Sequence, residues 1–251
     1  MQGESMAAED NNPSKQTALV VGAGSGIGEA LLRRWSENSG WQPLGVSRTS
    51  AANASGSTRH IACDYTDASL DSLAHQLLSE QLDLARVVIC NGVLQGDHYA
   101  PERALSQLNE EAMASVFAIN TFLPMRILGA LMPLLKRSTA PKVAVLSARV
   151  GSIGDNRLGG WYSYRGSKAA LNIMLRSAAF ELRRVNRQAK LMAYHPGTVD
   201  TPLSRPFQKG VDPKVLLTPE KAAEYLDKVL NNAEADGDLS YLDWRGDTIP
   251  W

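Results

Sequence analysis

Apolar residues along this chain gather in short, nearly continuous runs, separated by stretches in which they recur with a helical period. The runs are TALVV at 17–21, PLGVS at 43–47, HIAC at 60–63, RVVIC at 86–90, KVAVLS at 142–147, KLMAYH at 190–195 and SYLDW at 240–244. Runs this short and this apolar predict strands buried on both faces, which means a parallel sheet covered by helices. The intervening IGEALLRRWSEN and SLDSLAHQLLSEQ supply such helices. Because crossovers between parallel strands are right-handed, the alternation predicts an α/β fold with a doubly wound parallel sheet in a single domain.

Three segments refine that picture. From 163 to 186, Leu171, Met174, Leu175, Ala178 and Leu182 fall on one stripe of a helix expected to face the sheet. Thr218-Pro219-Glu220 ahead of KAAEYLDKVL marks a helix start: a capping hydroxyl, a proline in the first turn, and an acid at the positive dipole end. Between Val199 and Leu217 periodicity is weak and prolines recur, which predicts a long loop, the kind of segment that often serves as a lid. The apolar stretch 117–135 is long enough to suggest a membrane span, but Asn120, Pro124, Arg126 and Pro133 interrupt it, so it reads as a core helix.

Composition narrows the function classes. A chain of 251 residues with 44% hydrophobic and 21% charged residues can bury a sizeable core. Its 26 basic and 26 acidic residues balance, and no basic stripe points to nucleic acid or to a membrane surface as a partner. Cys63 and Cys90 match no metal or redox spacing and are expected to be buried and reduced, as in a cytoplasmic enzyme. His60, His75, His98 and His195 form no triad or metal motif, and no Gly-x-Ser-x-Gly elbow occurs, which argues against a hydrolase and against a metal site. Residues 1–16 are polar and read as a flexible tail, leaving 17–251 as the domain.

The chemistry is concentrated in two places. GAGSGIG, from Gly22 to Gly28, follows the first strand and opens the first helix, where glycines let the backbone approach a pyrophosphate and the helix terminus favours its charge. Gly22, Gly24, Ser25, Gly26, Ile27 and Gly28 are therefore candidate cofactor ligands; a turn glycine needed only for packing is the plainer alternative. The acid that would hold the ribose 2′-hydroxyl of NAD is missing, and the second strand ends instead at Ser47-Arg48. A guanidinium there can pair with a 2′-phosphate, which favours NADP(H) over NAD. Further on, Tyr164 and Lys168 stand four residues apart at a helix start and share one face. An ammonium beside a phenol stabilises the phenolate, lowering a pKa that is ordinarily near 10 and fitting the tyrosine for proton exchange with an alcohol or carbonyl. Tyr162, six residues from the lysine, reads as a packing aromatic.

In this order, these motifs resemble the short-chain dehydrogenase/reductase family from Thr17 to Trp251. Gly22, Gly26 and Gly28 match its glycine motif, with Val21 in place of the usual threonine. The resemblance implies a Rossmann fold, an adenine contact at Asp64, and a cofactor contact at Asn91-Gly92, a shortened form of the motif that closes the fourth strand. It implies that Asn120 is the catalytic asparagine that props a helix kink and a proton relay, that Tyr164 and Lys168 are the acid/base pair and cofactor ligands, and that Pro196, Gly197, Val199 and Thr201 face the nicotinamide and phosphates. LSARVGSIGDNRLGGWYSYRGSKAALN and YLDWRGDTIPW point to the sniffer carbonyl reductase and C-factor-like branch. One position departs from the pattern: the serine that polarises the substrate falls on Ala148, leaving Ser147, with Ser152 behind it, to supply the hydroxyl.

The resulting expectation is hydride transfer between NADP(H) and a small carbonyl or alcohol substrate, in a chain that forms a homodimer or homotetramer. A cofactor-binding signalling protein with incidental turnover is the alternative. If Arg48 reads the 2′-phosphate, Arg48→Ala weakens NADPH binding by roughly tenfold or more, the loss of one charge-assisted contact, and leaves NADH little changed. Fluorescence titration with both nucleotides checks this; equal weakening would make Arg48 a structural residue.

Overall fold

The structure, a computed structural model, describes residues 16–24, 26–38, 40–49 and 58–251. Ser25 and residues 1–15 of the expected tail lie outside the described residues, whereas Gln16 already belongs to the first strand. Seven parallel strands form the main sheet: β1 (Gln16–Val21), β2 (Trp41–Ser47), β3 (Arg59–Ala62), β4 (Leu84–Ile89), β5 (Lys142–Leu146), β6 (Lys190–His195) and β9 (Ser240–Asp243). Their order is β3-β2-β1-β4-β5-β6-β9, so the chain reverses its direction of travel between β1 and β4. All seven lie where the apolar runs predict them. Unforeseen is a small parallel pair, β7 (Thr198–Val199) with β8 (Leu216–Leu217), which pins the two ends of the proline-containing loop together.

Side-chain alternation explains why both faces are covered. Leu19 and Val21 of β1 point into one core, while Ala18 and Val20 point into the other. The first core is closed by α2 (Asp67–Ser79), α4 (Leu123–Arg137) and α5 (Tyr162–Val185), the second by α1 (Gly26–Ser36) and α6 (Pro219–Asn232). Thr218 caps α6 as expected, its hydroxyl accepting from the Lys221 amide at 3.2 Å. On α5, Leu171, Leu175, Ala178 and Leu182 are buried, but Met174 is 38% exposed, because it lies at the margin of the stripe.

The helical stretch Glu110–Arg137 is long and apolar enough, by length and composition, to cross a membrane. Ile127, Leu128, Leu131, Leu134 and Leu135 instead bury one side of it in the first core, as expected of a core helix. The stretch is not a uniform helix. α3 (Glu110–Phe117) passes into α4 through a π-helical turn at Ala118–Phe122, a local widening that aims Asn120 and Thr121 inward, both fully buried. The Thr121 hydroxyl donates to Ser167 O at 2.7 Å, tying this turn to α5.

Leu175 lies on the buried stripe of α5 with no exposed surface. Leu175→Ala should lower unfolding free energy by about 2–5 kcal/mol through lost burial and the cavity left behind. Chemical denaturation measures this; a loss under about 1 kcal/mol would mean that the core collapses into the space.

Candidate active site

The reversal between β1 and β4 opens a crevice at the carboxyl edge of the sheet, where folds of this kind bind ligands. The chain leaves β1 through Gly22, whose φ of +84° is left-handed, and a Cβ there would lie 3.1 Å from Asn91 N and 3.2 Å from Asn91 Oδ1. The sharp turn and the close approach both require glycine. At Gly26 a Cβ would come within 3.1 Å of the Thr201 methyl, so the glycine turn also abuts the segment after β6.

A cavity of about 640 Å³ occupies the crevice. Among the residues proposed from sequence it brings together Gly24, Gly26 and Ile27 from the turn, Asn91 and Gly92 after β4, and Ser147 after β5. Tyr164 and Lys168 from α5, and Pro196, Gly197, Val199 and Thr201 after β6, complete the set. Gly22, Gly28, Arg48, Asp64 and Asn120 are not in its wall. Gly28 is buried within α1. Arg48 is exposed at the end of β2, close enough to Tyr65 for its charge to act there, and no carboxylate among the described residues pairs with it. Asp64 is exposed after β3, where its Oδ1 accepts from the Thr66 amide at 2.9 Å and the Thr66 hydroxyl at 2.8 Å, holding its carboxyl below the usual range.

Asn120 stands behind the wall as a strut. Its Oδ1 accepts from Val93 N at 2.7 Å, and its Nδ2 donates to Val93 O at 2.8 Å and to Ser167 Oγ at 3.2 Å. The π turn thus clamps the segment after β4 to the helix that carries Tyr164 and Lys168.

That pair does not interact as the sequence predicts. Lys168 Nζ lies 6.0 Å from the centre of the Tyr164 ring and donates to Leu146 O at 2.8 Å. Burial pushes Lys168 down to about 8, and burial, with Tyr241 nearby, pushes Tyr164 up to about 12. The expected lowering at Tyr164 is therefore reversed, because desolvation of the phenolate outweighs an ammonium that is directed elsewhere. At neutral pH the phenol keeps its proton, as a proton donor must.

Ser147 is buried beside the cavity, and its hydroxyl donates to Asn172 Oδ1 of α5 at 2.6 Å. Ser152 lies outside the cavity wall, and its Oγ accepts from the Asp155 amide at 3.0 Å, closing a turn. Neighbouring Ala148 lines the cavity, and its carbonyl accepts from the Tyr241 hydroxyl at 2.6 Å.

Several residues of the site lie outside the motifs read from the sequence. Trp161, with φ +53°, packs edge-on against Tyr164 at 6.2 Å and against Phe207 of the proline-containing loop at 5.3 Å. Together they make an aromatic wall. The 151–161 segment reaches the cavity only through Trp161. Arg149, also in the wall, is held between Asp155 at 3.2 Å and Asp243 at 2.9 Å, so its guanidinium is already paired. Glu102 is 6% exposed, and its carboxylate accepts from the Ser163 amide at 3.1 Å and from the Ser163 hydroxyl. His195 also lines the cavity, and its Nδ1 is buried without a hydrogen bond among the described residues. Among the described residues, no group of three His, Cys, Asp or Glu is disposed to hold a metal ion.

Residues 16–212 match the family model described as short chain dehydrogenase. The chain belongs to that family. A curated relative, 1-hydroxy-2-glutathionyl-2-methyl-3-butene dehydrogenase of Rhodococcus sp. (strain AD45), is 32% identical over 240 residues, 94% of this chain and 99% of that one. A short-chain dehydrogenase/reductase from Burkholderia multivorans, solved with bound NADP, superposes with a TM-score of 0.78 at 25% identity, over 94% of this chain and all of the other. The carbonyl reductase Sniffer of D. melanogaster has the same fold: TM-score 0.80 at 18% identity, over 94% and 99% of the two chains.

The residues present suit the nicotinamide dinucleotide of such a dehydrogenase. The glycine turn brings Gly24 and Gly26 into the crevice wall together with Asn91, Gly92 and Lys168, leaving backbone and polar groups exposed to a ligand there.

Burial, with Arg149 nearby, holds His195 down to about 4, against the partial opposition of Asp243. The unfolded chain takes up this proton near pH 6.5, whereas the folded protein resists until about pH 4. Between those values the unfolded state binds more protons, so stability falls as pH falls. His195→Asn should remove about 1–3 kcal/mol of that acid-side loss, as read from denaturation midpoints at pH 6.5 and 4.5. An unchanged difference between the two pH values would place the histidine proton in solvent.

Proposed function

We propose that this dehydrogenase is a cytoplasmic, NADP(H)-dependent carbonyl reductase for small, largely apolar carbonyl compounds. The observation that carries the reading is the placement of Tyr164 and Lys168, one helical turn apart, in a cavity wall that runs from the glycine turn to Pro196–Thr201. NADP is supported by Arg48 at the end of β2 with no opposing carboxylate among the described residues, and by the Burkholderia relative's bound cofactor. An apolar substrate suits a wall of Trp161, Phe207 and Leu203 in which the one guanidinium is already paired. The buried cysteines Cys63 and Cys90 suit a reducing compartment.

When bound, NADPH supplies the hydride that reduces the carbonyl carbon. Tyr164, protonated at neutral pH, donates its phenolic proton to the carbonyl oxygen. Lys168, anchored on Leu146 O, keeps a cation at the cavity floor that steadies the phenolate left behind and holds the cofactor ribose. Ser147 orients the carbonyl by exchanging Asn172 for the substrate oxygen. Asn120 fixes the distance between the two walls, Asn91 and Gly92 take the cofactor on the β4 side, and Asp64 meets the adenine. Exposed Ile173 and Phe180 on α5 suit a homodimer or homotetramer.

A second reading, a cofactor-binding signalling protein, is favoured by Ala148, which removes the family's substrate hydroxyl. One experiment separates the two. Wild type, Tyr164→Phe and Ser147→Ala are assayed with NADPH and NADH against a panel of ketones, aldehydes and quinones, following nicotinamide absorbance. Reduction should prefer NADPH, vanish in Tyr164→Phe, and fall about a hundredfold in Ser147→Ala, the usual effect of removing a donor to developing charge. Turnover that persists in Tyr164→Phe would sink the mechanism, and NADPH binding without turnover on any compound would favour the signalling role.

A further inference from the structure

We propose that Glu102 is a positioning residue of the active site, holding Trp161 and the first turn of α5 so that the indole and the Tyr164 phenol present one wall to the substrate. The inference deepens the reductase reading and rests on it.

The first turn of a helix has amides without internal partners, and a side-chain oxygen of the residue just ahead normally takes one of them. Here that residue is Trp161, which has no such oxygen and makes no side-chain cap. The cap comes from elsewhere. Glu102, 61 positions before Ser163, takes the Ser163 amide on one carboxylate oxygen and the Ser163 hydroxyl on the other. Its main-chain carbonyl accepts from the Trp161 amide. One residue therefore grips the chain on both sides of Tyr162.

The grip is needed because of the backbone it holds. Gly159, Gly160 and Trp161 have φ of +63°, +65° and +53°, three left-handed residues in succession. Two are glycines; the third is a bulky aromatic for which that conformation is unfavourable. It persists only where surrounding contacts determine it. A Cβ on Gly160 would lie 3.3 Å from Glu102 O, so the turn is wrapped closely around this acid. Its product is the orientation of the Trp161 ring, edge-on to both Tyr164 and Phe207. Burying a carboxylate is unfavourable unless its oxygens are hydrogen-bonded, and no cation pairs with Glu102 among the described residues. Its oxygens are matched instead by Ser163 and by the positive end of α5.

Glu102→Ala, Glu102→Gln and a control, Asp227→Ala, provide the test. Asp227 joins α6 to Arg34 and Trp35 of α1, far from this turn, so its loss should lower Tm while leaving kcat unchanged. In Glu102→Ala, amide exchange at residues 162–165 should rise about tenfold or more while the rest of α5 stays protected. The emission contributed by Trp161, obtained by difference from Trp161→Phe, should shift to the red. Turnover should fall about tenfold or more and the substrate KM rise, with NADPH affinity kept within about threefold, as expected when a wall is misplaced but the cofactor site is not. Glu102→Gln, which can still accept from Ser163 N, should recover most of the turnover.

Unchanged exchange and emission in Glu102→Ala overturn the proposal. So does a loosened turn with kcat and KM no different from those of Asp227→Ala, which makes Glu102 a cap and nothing more. Wild-type inactivity toward every carbonyl compound would instead defeat the reductase reading, and exchange and emission alone would then decide whether Glu102 holds the wall.

Discussion

Lys168 has its amine in the wall of the core, and the carbonyl that receives it is Leu146 O at the end of β5. A buried cation is tolerable only with such a partner, so the relative positions of α5 and β5 are fixed by this one bond and by the packing around it. Leu171 and Leu175, further along the same helix, have no exposed surface and hold α5 against the sheet. This packing places Tyr164 in the cavity wall beside Lys168. Thr121 and Asn120 make the same connection from the other side, through Ser167. The geometry of the cavity wall is a consequence of core packing, and the π turn lets a core helix brace that wall without giving up its buried face.

The same burial sets the protonation states. Desolvation raises Tyr164 and lowers Lys168, drawing both toward their neutral forms. A phenol that keeps its proton suits delivery to a carbonyl oxygen, whereas alcohol oxidation needs the phenolate. In both groups the cause is desolvation by the surrounding protein. Arg149, with Asp155 and Asp243 as partners, adds no free charge to that balance.

Much of this was legible in the residues because it follows from local rules. Strands buried on both faces must be apolar throughout, so β1 to β6 and β9 announce themselves. Gly22 and Gly26 are required by close approach, and the spacing of Tyr164 and Lys168 follows from helical periodicity. What escaped depends on contacts distant in sequence. Desolvation at Tyr164 is a property of the assembled cavity and cannot be read from the four-residue spacing, which suggested a lowered pKa. The β7–β8 pair is too short for periodicity to reveal. The direction of the Ser147 hydroxyl depends on Asn172, 25 residues away.

The aromatic wall marks where sequence reasoning has to give way. Gly159 and Gly160 signal a tight turn, but nothing local says that Trp161 continues in the same left-handed conformation, since a side chain of that size is disfavoured there by about 1–2 kcal/mol. Local preference is overruled at this point by an acid from a distant segment and by two neighbouring rings. Residues held against their own propensity cluster where ligand contact is made, and Trp161 lines the cavity. In this chain the conflict falls three positions before Tyr164, at a residue whose ring also meets Phe207 of the proline-containing loop. The conformation that sequence alone would reject is therefore the feature that sets the Trp161 ring against both Tyr164 and Phe207.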